Sequence, residues 1–181
     1  MQRLSRSPAV AGRPGLTLLE IAAATAILAI LAMAVVPAFS QADEPLRAAR
    51  GRMAADLSLA RRLAVLFNAD CTVTTTLTQY ELTSPDADVT AALADATHGA
   101  PYRVRLGEDS AGSPPTIARV RTAITQTSLT SWTFNAQGGI EGLVESPEVL
   151  LRAGAHEQTL TIDYRTGAVT FGPLAAAGST P

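Results

Sequence analysis

The chain contains no lysine, and Cys71 is its only cysteine. A single thiol excludes an intrachain disulfide and any site needing two cysteines, and it leaves the redox compartment unspecified. Aromatic residues make up 4% of the 181 residues and charged residues 17%, below the roughly 25% charged content usual for soluble domains. Net charge is −2, which gives no general attraction to nucleic acid or to anionic lipid. Catalytic signatures are also missing: there is no Gly-x-Ser-x-Gly, no Walker loop and no paired zinc-ligand motif. His98 and His156, the only two histidines, are far apart and each is expected in a loop. Asp86-Ala87-Asp88 with Asp95 lacks the glycine and spacing of an EF-hand. No cofactor, metal or enzymatic activity is expected.

Apolar residues, by contrast, are concentrated near the N-terminus. Ile21 to Phe39 runs without a charge and is extended upstream by Leu16-Thr17-Leu18-Leu19-Glu20. A helix from Leu16 to Phe39 would be about 36 Å long, enough to cross a hydrocarbon core of about 30 Å. A secretory signal cut near Ser40-Gln41-Ala42 would have an unusually long apolar run headed by a glutamate. A plain membrane anchor fits the length but gives Glu20 no purpose, although a carboxylate in an apolar span is unfavourable. Charge alone does not orient the segment, because Arg3, Arg6 and Arg13 precede it while Arg47, Arg50 and Arg52 follow closely.

The run Arg13-Pro14-Gly15-Leu16-Thr17-Leu18-Leu19-Glu20 resembles the class III leader of type IV pilins and type II secretion pseudopilins. In that family a prepilin peptidase cuts after the glycine, the new N-terminus is methylated, and a glutamate follows the cut at a fixed offset. The resemblance implies cleavage between Gly15 and Leu16, methylation of Leu16, an assembly role for Glu20, and a helix kink at Pro37. Leu16 departs from the phenylalanine the family prefers after the cut. An ammonium on Leu16 and the Glu20 carboxylate about 4 Å apart would gain roughly 4 kcal/mol at an effective dielectric of 20. Removing residues 1–15 takes three of the 14 basic residues and no acid, leaving 11 basic against 16 acidic residues.

Beyond a short polar stretch, Leu46, Ala49, Met53, Leu57, Ala60, Ala64 and Phe67 recur at helical spacing. Arg50, Arg52, Asp56, Arg61 and Arg62 fall mostly off that stripe and are expected in solvent, with the helix ending near Asn68-Ala69-Asp70. Residues 84–100 are expected to form a loop with one short helical turn. From Cys71 the pattern becomes β-like: strands are expected at 71–77, 79–82, 102–106, 117–124, 131–134, 149–152, 159–164 and 168–171, in one antiparallel sheet. Glycines in Asn135-Ala136-Gln137-Gly138-Gly139 and Arg165-Thr166-Gly167 support two hairpins.

Together with the leader, the helix carrying Asp56-Leu57 and Ala60-Arg61, the stretch Trp132 to Gly138 and the closing hairpin Ile162 to Val169 resemble the GspH/FimT group. This implies an α+β, pilin-like fold: a long N-terminal helix, transmembrane then amphipathic, packed on an antiparallel β-domain. The expected divisions are a leader at 1–15, a transmembrane and filament-core helix at 16–39, its amphipathic continuation at 40–70, a periplasmic β-rich domain at 71–172 and a disordered tail at 173–181. The implied function is that of a minor pseudopilin of class H in a type II secretion system, a structural subunit of the pseudopilus. The alternative is a FimT-like minor type IV pilin acting in pilus assembly or DNA uptake. Implied partners are the prepilin peptidase, the major and other minor pseudopilins, the inner-membrane assembly platform and, before assembly, membrane lipid. The implied location is the bacterial inner membrane, single-pass, with the N-terminus cytoplasmic and the C-terminal domain periplasmic. Arg103, Arg105, Arg119 and Arg121 could form a basic stripe for DNA, but the net negative mature chain makes nucleic acid an unlikely partner.

Overall fold

The computed structural model describes residues 18, 21–28, 44–97, 101–108 and 113–178. Gly15, Leu16, Glu20 and Pro37 lie outside them, as do His98, the leader and most of the expected span. The chain divides into two units, Met1–Phe39 and Ser40–Pro181. In the first, residues 21–28 are helical, and Thr25 Oγ1 donates to the carbonyls of Ile21 and Ala22. Among the described residues no helix is long and apolar enough to cross a membrane.

The second unit begins with α1, Glu44–Phe67. Pro45 suits a first helical turn because its missing N–H would have no intrahelical partner there. Asn68 stops the helix in a left-handed conformation, φ 51°, while Ala69 N–H donates to Ala64 O at 3.0 Å. Leu46, Met53, Leu57 and Leu63 are buried along one face, each contributing about 1.5–3 kcal/mol by removal from water.

Two four-stranded antiparallel sheets follow, not one. Strands β1 (Cys71–Thr75), β2 (Gln79–Thr83), β3 (Tyr102–Arg105) and β5 (Ser131–Phe134) form the first, in the order β3-β2-β1-β5. Strands β4 (Thr116–Thr122), β6 (Pro147–Ala153), β7 (His156–Ile162) and β8 (Val169–Ala176) form the second, in the order β4-β6-β7-β8. Strand β5 leaves its sequence neighbours to pair with β1, matching Val73 to Trp132. Alternating burial tells which face of a strand is inward but not which strand lies beside it. The sheets join where Ile117 N–H donates to Leu77 O at 2.8 Å. One core serves both: Val73, Tyr80 and Phe134 from the first sheet and Val149, Leu151, Leu160 and Ile162 from the second are buried with the α1 face.

Three further expectations are corrected. Residues Ala87–Thr97 form a helix of 11 residues, α2, rather than one turn. The Asp86 carboxylate caps it by accepting from the N–H groups of Asp88 and Val89. His156 opens β7 and is not in a loop. The tail expected to be disordered from Pro173 is strand as far as Ala176, paired to β7 with Gln158 opposite Leu174. Pro173 hid this, yet an edge strand tolerates a proline because one of its sides needs no N–H donor.

Candidate assembly surface

Helix α1 holds each sheet by a different device. Toward the first sheet, Asp56 is 8% exposed, and its two carboxylate oxygens take different tyrosines. Tyr80 Oη donates to Oδ2 at 2.5 Å and Tyr102 Oη donates to Oδ1 at 2.7 Å, while Arg52 Nε stands 4.0 Å from Oδ2. Tyr80 and Tyr102 lie diagonally across the β2–β3 pairing, opposite Val104 and Leu82 respectively. Burial pushes both phenols above the ordinary tyrosine range, and the Asp56 carboxylate adds to the shift. Asp56 was expected in solvent; it lies on the buried stripe because Met53, Asp56 and Ala60 share a face at helical spacing. The carboxylate is tolerated there because both oxygens accept charge-assisted hydrogen bonds.

Toward the second sheet the contacts come from arginines, also expected in solvent. Arg50 Nη1 donates to Gln158 Oε1 at 3.1 Å, and its guanidinium carbon lies 4.6 Å from the centre of the Phe171 ring. Gln158 in turn donates to Gly172 O at 2.8 Å, tying β8 to β7 beside their register shift. One end of α1 is therefore anchored to the free-edge strand.

At the other end of α1 the two glycine turns stack on Arg61. A Cβ on Gly167, whose φ is 65°, would lie 2.9 Å from Arg61 Cδ and collide with the carbonyl of Gly138. The Asn135–Gly139 turn closes through a single Phe134–Ile140 bridge instead of joining two long strands. The Arg165–Gly167 turn does connect β7 to β8 as expected. Asp163 organises it, with its carboxyl held below the ordinary range chiefly by the Thr166 hydroxyl and also by backbone N–H groups.

A second exposed feature lies at this same end. Ala123 N–H donates to Ser146 O, and Glu145 Oε2 accepts from Ile124 N–H, Thr125 N–H and Thr125 Oγ1. These bonds, the Thr125 N–H first, hold the Glu145 carboxyl below its ordinary range. The clamped loops present Ile124, 78% exposed, and Val144, 81% exposed.

The four arginines considered as a basic stripe are not brought together. Arg103 and Arg105 lie on β3 of the first sheet, while Arg119 and Arg121 lie on β4 of the second. Arg103 pairs with Glu81 at 3.0 Å, Arg105 with Glu108 at 3.3 Å and Arg121 with Glu148 at 3.3 Å. Cys71 is buried at the start of β1, and burial pushes its thiol up to about 11.

No protein-family model matches the chain. No curated protein matches it either. Among solved structures, the crystal structure of the type IV minor pilin FimU of Pseudomonas aeruginosa superposes with a TM-score of 0.50 at 17% identity, covering 75% of this chain and 92% of FimU. The fold is type IV pilin-like. This level of identity carries the architecture of helix and antiparallel sheets, and no individual residue with it.

Proposed function

We propose that the chain is a structural subunit of a filament of the type IV pilus and type II secretion class, made as a precursor and matured at its N-terminus. The observation that carries this reading is a pilin-like fold in a chain that also has Gly15 and Glu20 at the head of an uncharged apolar run. On this reading a prepilin peptidase cuts between Gly15 and Leu16, Leu16 is methylated, and Glu20 docks on the ammonium of a neighbouring subunit. Until assembly the apolar segment sits in the inner membrane with the β-domain on the periplasmic side. The work is assembly rather than catalysis, and nucleic acid is not a partner.

The finer assignment we propose is a minor pseudopilin of a type II secretion system. The likeness to FimU supports a second reading, a minor type IV pilin. Intact mass and N-terminal sequencing of the protein from membranes test the shared claim: a chain starting at methylated Leu16, and loss of that product in Gly15→Ala, are expected. An uncut chain, or an N-terminus near residue 43, overturns it. A deletion strain then separates the two readings, since loss of protein export with motility intact selects the secretion system and the converse selects the pilus.

A further inference from the structure

We infer that the trough between α1 and the outer edge of β8 binds an extended, acid-bearing segment of a different protein, which adds to the second sheet as a further strand. The inference goes beyond the filament reading and does not depend on maturation at Leu16.

Strand β8 is the last of its sheet, and β7 pairs with one of its sides. Asp163 N–H donates to Ala168 O, while Val169 and Phe171 lie opposite Ile162 and Leu160. Alternation along an antiparallel pair then turns Ala168 and Thr170 toward β7, and turns the N–H and C=O groups of Val169 and Phe171 outward. Beyond the register shift, Ala177 N–H donates to Ala155 O, which turns Leu174 outward in the same way. Natural sheet edges are usually guarded by charge, yet residues 167–181 include no charged side chain. Phe171 and Leu174 remain 47% and 39% exposed along this edge. The edge is also held in place, since Gln158 ties Gly172 O and the Arg50 guanidinium lies over Phe171.

The helix wall of the trough is basic. Arg50 reaches Phe171, and Arg61 lies against Gly167 just before β8 begins. Arg47 stands one turn before Arg50 and is exposed. At roughly 100° per residue the three fall within a narrow sector on this flank of the helix. Among the described residues none of them has a carboxylate at ion-pair distance. The Nε atoms of Arg50 and Arg61 are buried without an acceptor. Asp163, in the adjoining turn, is already engaged by Thr166 and by Arg165 N–H.

These two walls define the occupant. From Arg47 to Arg61 the helix runs about 21 Å, the reach of about six residues of strand. A segment of that length pairs its backbone with β8 and, at alternate positions, points carboxylates at α1. The edge offers donors and acceptors together, whereas a nucleic acid backbone returns phosphate acceptors alone. In this chain's own acidic stretch, Glu145 is engaged by the Ile124–Thr125 turn and Glu148 by Arg121. The strand therefore comes from another protein.

The probe is a fluorescent seven-residue peptide that alternates glutamate with valine, titrated by anisotropy against the full chain in neutral detergent. Saturable binding is expected, about tenfold or more tighter than for the same peptide with lysine in place of glutamate. Arg47→Glu should weaken it about fivefold without moving the melting temperature, because Arg47 is exposed. Methylating the peptide's β8-facing amide nitrogens should weaken it about tenfold or more, which a purely electrostatic contact would not show. Absence of binding by the glutamate peptide, equal binding of the lysine peptide, or indifference to methylation would each overturn the contact. Displacement of the peptide by oligothymidine would reassign the trough to nucleic acid, and equal affinity for a peptide of residues 141–148 would reassign it to a second copy. N-terminal sequencing of the same preparation reports on the filament reading separately.

Discussion

At the scale of single residues, Asp56 is the side chain whose loss should be felt most. Asp56→Ala leaves two buried tyrosine hydroxyls without an acceptor and should destabilise the domain by about 2–4 kcal/mol, measured by urea unfolding followed through Trp132. Tyr80→Phe or Tyr102→Phe removes one donor to a charged acceptor and should each cost about 1.5–3 kcal/mol. Both phenols are raised in the folded state. Their contribution is therefore complete below the ordinary tyrosine value of about 10 and is lost as pH rises beyond it toward the folded values. Unfolding free energy should fall steeply above pH about 10, and the double phenylalanine variant should flatten that fall. Cys71, pushed up to about 11 by burial, should resist a thiol reagent at neutral pH until the chain unfolds. The sequence placed Cys71 correctly at a strand start, but it disguised Asp56. A carboxylate between two apolar positions reads as solvent-facing unless its acceptor role for distant tyrosines is known, and nothing local announces that pairing.

For the elements, the amphipathic helix, the eight strands and the closing β7–β8 turn were legible because each has its own period or turn chemistry, although β8 runs on to Ala176 beyond its expected end at 171. The division into two sheets was not, because it depends on β5 choosing β1 over its sequence neighbours. Helix α2 was missed for a different reason: its apolar face consists largely of Val89 and Leu93, too few to set a period, although the Asp86 cap was in plain view. Two glycines allow the backbone and packing contributions to be separated. Gly142, with φ 70°, has open space around it, while Gly167 is enclosed by Arg61, Phe134 and the Gly138 carbonyl. Gly142→Ala should cost about 1 kcal/mol from backbone strain alone. Gly167→Ala should cost at least about 2 kcal/mol more as the stacked turns separate, a difference visible in paired urea titrations.

For the whole molecule, the proposed assembly role predicts that processing and incorporation come apart. Glu20→Ala should still yield a chain beginning at Leu16, yet its recovery in sheared filaments should fall by about tenfold or more relative to the wild-type protein. Retention of wild-type incorporation would remove Glu20 from the docking step. The leader motif that suggests this role is short and fixed in spacing, and Gly15, Leu16 and Glu20 lie outside the described residues. The two anchors of α1 also have a mechanical consequence. Asp56 grips one sheet, and Arg50 with Arg61 grips the other, so tension along the helix is loaded on both sheets at once. Under tension along α1 the two sheets should therefore yield together, as a single unit.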